Sequence, residues 1–94
     1  MGDNPALHVY IEGRVQAVGY RYWLTREASL LSLDGWVRNL RDGRVEAVFS
    51  GPPEALDEIQ RRCHEGPSFA RVDQVTAEVE SAPVSPGFHA LPTV

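Results

Sequence analysis

Leu7, Val9 and Ile11 alternate with His8, Tyr10 and Glu12, a period of two that suits a half-buried strand and no helix. Gly13 breaks the alternation. The period then changes. Over about residues 20–33, Tyr20, Leu24, Ala28 and Leu31 recur at spacings of four, four and three, which is one helix face, and Asp34-Gly35 is the expected stop. A second strand is expected over 36–40 and a third over 44–50, with Val45, Ala47 and Phe49 on one face. Asp42-Gly43 between them reads as a two-residue type I′ hairpin turn. Gly51-Pro52-Pro53 opens a second helix, lined on its buried side by Leu56, Ile59 and Cys63 and closed by Gly66-Pro67. A fourth strand follows over 71–80, with Val72, Val75, Ala77 and Val79 as its apolar content. The order βαββαβ leaves two helices to cover one face of an antiparallel sheet, so the expected fold is the α+β, ferredoxin-like, two-layer sandwich.

The 94 residues suffice for one core, and neither a repeat nor a linker marks a second domain. The expectation is one domain over 1–94, with a core of about 7–80. Residues 81–94 form a tail of three prolines and a short edge strand near 88–91. No apolar run is long enough to span a bilayer, the start Met1-Gly2-Asp3-Asn4-Pro5 does not resemble a secretory signal, and Ala6 replaces the Ser or Thr of a myristoylation site at Gly2. A single cysteine, Cys63, permits no disulfide within the chain, which points to a reducing cytoplasm. A net charge of −4 argues against nucleic-acid or anionic-membrane partners. It also means that any anion site must be built locally, from backbone N–H groups and a few placed cations.

Residues 13–21 join a strand to a helix, and the first N–H groups of a helix have no internal partner. With the helix dipole and a concave run of loop N–H groups they form an anion site. Gly13 and Gly19 permit the tight curl, and Arg21 supplies a planar fork of donors suited to phosphate oxygens. Two glycines and an arginine alone fit a plain surface connection at least as well. The spacing is neither a Walker loop nor a dinucleotide fingerprint.

Topology brings in Asn39. In this fold strands one and two run parallel with strand three between them, so Arg21 and Asn39 fall at the same end of the sheet, two strand spacings or roughly 9.5 Å apart. Asn39 shares parity with Val37 and should face the helices, where its amide could orient a water. The competing role for Asn39 is simply to start the hairpin turn.

Together the two segments resemble the acylphosphatase family. Its first signature runs aliphatic, x, Gly, x, Val-Gln-Gly-Val, x, Phe, Arg, and here reads Ile11-Glu12-Gly13-Arg14-Val15-Gln16-Ala17-Val18-Gly19-Tyr20-Arg21. The second is matched by Gly35-Trp36-Val37-Arg38-Asn39 followed by Gly43, Val45 and Gly51. The resemblance covers about residues 7–80. It implies hydrolysis of acyl phosphates, such as acetyl phosphate, carbamoyl phosphate or 1,3-bisphosphoglycerate, to a carboxylate and inorganic phosphate. Arg21 stands at the family's phosphate-binding arginine and Asn39 at its water-orienting asparagine. The phosphate loop would comprise Gln16, Ala17, Val18, Gly19 and Tyr20. No cofactor or metal is called for. Ala17 and Tyr20 depart from the pattern. The expectation is that Ala17 sits at negative φ, where alanine is free, and that the Tyr20 hydroxyl finds a partner.

His8, His64 and His89 lack metal-ligand spacing. Cys63 reads as a small core residue, Trp23 and Trp36 as core or rim packing, and Arg61-Arg62 as a solvated helix face. Arg14, Arg38 and Arg41 would offset acidic charge near the site. The alternatives are a non-enzymatic ferredoxin-like module for an anion or a protein partner, a single-stranded RNA binder, for which the central strand lacks outward aromatics, and a domain of a larger carbamoyl-phosphate-using protein. The Met1 start and proline-rich end favour a free-standing chain, expected to be a monomer with a small-molecule substrate.

Overall fold

Strand β1 (Ala6–Arg14) pairs antiparallel with β3 (Val45–Ser50) on one side and β4 (Arg71–Val79) on the other, and β3 pairs antiparallel with β2 (Asp34–Asn39). A computed structural model describes residues 4–94, so what was expected of Met1, Gly2 and Asp3 lies outside the described residues. Helices α1 (Tyr20–Leu30) and α2 (Pro53–Glu65) cover one face. The sheet order is β4-β1-β3-β2-β5. This is the expected ferredoxin-like sandwich with one correction. Strand β5 (Phe88–Ala90) pairs parallel to β2, so the sheet is mixed rather than wholly antiparallel.

The inward set follows the parity read from sequence. Val9, Ile11, Val37, Val45, Ala47 and Phe49 meet Leu24, Ala28, Leu56, Ile59 and Cys63 in one buried cluster. Strand β5 joins that cluster because Phe88 stacks on Phe49, ring centroids 5.4 Å apart. Burial raises the Cys63 thiol to about 12, which suits a core residue and not a nucleophile.

Three boundaries differ from expectation, each for a local reason. Gly13 does not end β1. It sits within the strand, beside a register shift against β4, where a side chain would strike the Arg71 carbonyl and the Asp73 N–H. Helix α1 ends at Leu30 rather than at Asp34-Gly35. Leu33 N–H bonds the Ala28 carbonyl at 3.0 Å and Ser32 N–H the Ser29 carbonyl at 3.0 Å, with Ser32 at φ 56. That is a Schellman closure with serine where glycine is usual. The hairpin is also not type I′. Leu40 N–H bonds the Arg44 carbonyl, Gly43 N–H returns to the Leu40 carbonyl, and only Gly43 has positive φ, which makes a three-residue connection.

The helix-free face carries a charge network that the sequence reading did not anticipate. His8 bonds Glu46 at 2.6 Å and Glu80 at 2.8 Å, and Arg38 Nε donates to Glu46 at 2.7 Å. Arg38 therefore lies on the face away from the helices, not near the phosphate loop as expected. Burial works to lower the His8 pKa, but its bonds to the two carboxylates win and hold it above 6.5. Burial likewise opposes ionisation of Glu46, and the bonds from Arg38 and His8 outweigh it, keeping that carboxyl below 4.5. A protonated imidazole donates to both carboxylates, so its contribution is complete below pH 6.5 and fades as pH rises through the raised folded value. The contribution of Glu46 is complete above pH 4.5 and fades on acidification. In urea unfolding, the wild-type advantage over His8→Leu is expected to be largest between those two values and to narrow on the alkaline side. A gap independent of pH would contradict this account.

Candidate active site

The crossover from β1 through α1 to β2 leaves β1 and β2 pointing the same way, each antiparallel to β3 between them. The loop after β1 and the last residue of β2 consequently meet at one end of the sheet. There Val15, Gln16, Ala17, Gly19, Arg21, Tyr22 and Asn39 line a cavity of about 170 Å³. Of the residues expected in the loop, Gln16, Ala17 and Gly19 reach the cavity, as do Arg21 and Asn39. Val18 and Tyr20 do not line it. Val18 packs against the core. Tyr20 is buried, and its hydroxyl donates to the Cys63 carbonyl at 2.8 Å, which is the partner the extra oxygen required. Burial, the largest cause, pushes its pKa well above the usual phenolic value.

The loop is braced on both sides. Gln16 Nε2 donates to the Leu40 carbonyl at 2.6 Å and the Arg44 carbonyl at 2.8 Å, tying the loop to the hairpin that follows Asn39. Its amide nitrogen is thus occupied by protein carbonyls. Gly19 caps α1 at φ 80, with no side-chain cap and no acidic residue in the first turn. The helix dipole at this end is therefore not neutralised from within the chain. Arg21 is held by a 2.9 Å bond from its Nη1 to the Leu91 carbonyl, a tether from the segment after β5.

Two buried side-chain atoms among the described residues have no hydrogen-bond partner, Arg21 Nε and Asn39 Oδ1. They belong to two of the residues lining this cavity, one on α1 and the other at the end of β2. Leaving such an atom unmatched costs about 1–3 kcal/mol, so a native chain seldom keeps a pair without use. One is a cationic donor and the other a neutral acceptor. They are chemically suited to an anion oxygen and to a water hydrogen.

Ala17 contradicts its expectation. It adopts φ 61, in the left-handed region, where alanine costs about 1–2 kcal/mol. The curl of the loop requires that conformation, and the bracing by Gln16 helps to impose it.

Sequence reasoning missed Tyr22 as a lining residue and had Val15 only as part of the 13–21 loop. Val15 follows Arg14 at the end of β1, and Tyr22 lies one residue beyond the recognised arginine. A larger groove of about 450 Å³ opens at the other end of the sheet, among Asp34, Ser50 and Glu80. Those carboxylates already accept from Gly87 N–H and from Ala82 N–H and His8, and they would repel an anion. Among the described residues no set of three His, Cys, Asp or Glu side chains could hold a metal ion. Among the described residues no helix is long and apolar enough to cross a membrane. The outward aromatics Tyr10 and Trp36 are covered by Arg44 and Arg38, each 4.7 Å from the ring centroid.

Fold and cavity define an α+β sandwich with a small cavity at its first strand-to-helix loop. The acylphosphatase family model matches residues 7–90. The chain is 48% identical to an acylphosphatase of Nitrobacter hamburgensis, over 98% of this chain and 99% of that one. Its structure resembles that of an acylphosphatase from Coxiella burnetii, with a TM-score of 0.90 and 31% identity over 95% and 94% of the two chains. The acylphosphatase from Bacillus subtilis gives a TM-score of 0.88 and 32% identity over 93% and 98%. The chain belongs to the acylphosphatase family, and its enzyme class follows: a hydrolase of acyl phosphates.

Releasing the strain at position 17 has a measurable result. Ala17→Gly is expected to stabilise the protein by about 1 kcal/mol, read as a higher urea midpoint at unchanged slope. A loss of stability would show that the left-handed conformation is not maintained in solution.

Proposed function

We propose that the cavity holds the phosphoryl group of an acyl phosphate and that Arg21 and Asn39 carry its hydrolysis. The observation behind this reading is the unmatched pair of atoms, Arg21 Nε and Asn39 Oδ1, on residues that both line the cavity. The N–H groups of loop residues 16–20 and the uncapped start of α1 bind the equatorial oxygens, with the Arg21 fork alongside. Asn39 Oδ1 accepts from a water and aims its oxygen at phosphorus. The new P–O bond forms from that water as the bond from phosphorus to the acyl oxygen breaks. The electron pair leaves with the carboxylate, and the water's proton passes to phosphate or solvent.

A carboxylate is a good leaving group, so the reaction needs no strong general acid. Catalysis reduces to positioning and charge stabilisation. The Leu91 tether matters in this respect, because it fixes the guanidinium before substrate arrives. The chemistry assigned to these residues uses no metal and no cofactor. We place the protein in a reducing cytoplasm, as a monomer acting on a small molecule without a nucleic-acid partner. Its one cysteine is buried and its net charge is −4.

Phosphate release from acetyl phosphate, measured with chelator present, tests the proposal. Turnover is expected to survive chelation. Arg21→Ala should lower kcat/KM by roughly 10³ or more, the scale of arginine-finger cases. Asn39→Ala should lower it by at least about a hundredfold, the scale of a mispositioned reactant. Chelator-sensitive turnover, or activity retained in either variant, would overturn the mechanism.

A further inference from the structure

Tyr22 is the one large apolar side chain at this cavity that is left to solvent, with 70% of its surface exposed. It lies in the first turn of α1, next to Arg21 in sequence, and the Arg21 guanidinium carbon stands 5.4 Å from its ring centroid. Nothing in the hydrolytic chemistry uses it. Tyr20 is buried and Trp23 packs against the core.

The size of the cavity explains what such a ring could do. About 170 Å³ holds a phosphoryl group and a few waters, each water occupying roughly 30 Å³ in the liquid. Pockets that enclose a whole organic ligand run from roughly 300 Å³ upward. An acyl group larger than acetyl must therefore project past the rim. In-line attack also fixes the direction, since the leaving carboxylate departs on the side away from the water and hence away from Asn39. The rest of the lining comes from the loop and the first turn of α1, and Tyr22 is its only aromatic.

We infer that Tyr22 is the acyl-recognition residue of this enzyme, a platform that favours planar, apolar acyl groups over acetyl. An aryl carboxyl group carries its ring in the plane of the leaving carboxylate, or close to it, and can lie against the phenol face while the phosphoryl end stays on Arg21. Ring-on-ring contact of this kind discriminates by about tenfold. Acetyl has no surface to offer the platform. The inference rests on the phosphoryl site proposed above, from which its test is separable.

The test compares benzoyl phosphate with acetyl phosphate as substrates of the wild type, Tyr22→Phe, Tyr22→Ala and Arg21→Ala. Tyr22→Ala is expected to lose about tenfold in kcat/KM for benzoyl phosphate, mainly through KM, and to stay within twofold of wild type for acetyl phosphate. Tyr22→Phe should retain the wild-type preference. A parallel loss for both substrates would mean that the ring only steadies Arg21, and would overturn the inference. So would an unchanged preference in Tyr22→Ala. Either result, with Arg21→Ala inactive on both substrates, would leave the phosphoryl site intact. An active Arg21→Ala would sink that site whatever Tyr22 does. Because Tyr22 is exposed, thermal unfolding of Tyr22→Ala should match the wild type and exclude a folding defect.

Discussion

Two strands that must run parallel but are not neighbours govern this molecule. A crossover helix between β1 and β2 brings the chain back to the same end of the sheet, and β3 then fits between them antiparallel to both. A strand-to-helix loop and the last residue of a strand thereby face each other with no segment devoted to joining them. The cation and the amide of the site arrive on separate elements. Their spacing is set by backbone hydrogen bonding, which is far stiffer than any loop. The Gln16 side chain then closes the arrangement by bonding two carbonyls of the opposite hairpin.

Much of this was legible from residue order. Parity placed Val37 and Asn39 on the helix side and Trp36 and Arg38 on the other. The change of period after Gly13 located α1 within a residue of its start. The illegible parts share a physical cause, namely interactions between segments distant in sequence. Gly13 looks like a terminator until β4 is seen pressing on its backbone. Ser32 does not announce a left-handed residue, because the Schellman bonds and the burial of Leu33 impose it from outside. The His8–Glu46–Glu80–Arg38 network needs the register of three strands before it can be seen. Among the residues that line the cavity, Arg21 and Asn39 could be named from motif and topology together. The backbone state of Ala17 could not, since alanine has no local reason to adopt it.

The two faces of the sheet divide the work. The helix side buries an apolar cluster, and the cavity opens at one end of it. The other side is charged but internally neutralised, with Arg38 on Glu46 and His8 between two carboxylates. The carboxylates of this face are thus held in direct contact with cations and lie across the sheet from the cavity. Local placement overrides the net charge.

Strand β5 has an effect beyond packing Phe88. Without it, β2 would end the sheet with a row of free N–H and C=O groups, a template for pairing with another chain. The parallel three-residue strand and the bonds from Leu91 and Val94 to Val37 and Asn39 occupy that row along its length. The opposite edge, β4, is guarded differently, by the charges of Arg71, Asp73 and Glu78. The segment that steadies the arginine also shields the sheet. Any change that frees it would expose a ready site for self-association at the same moment that it loosens the hold on Arg21.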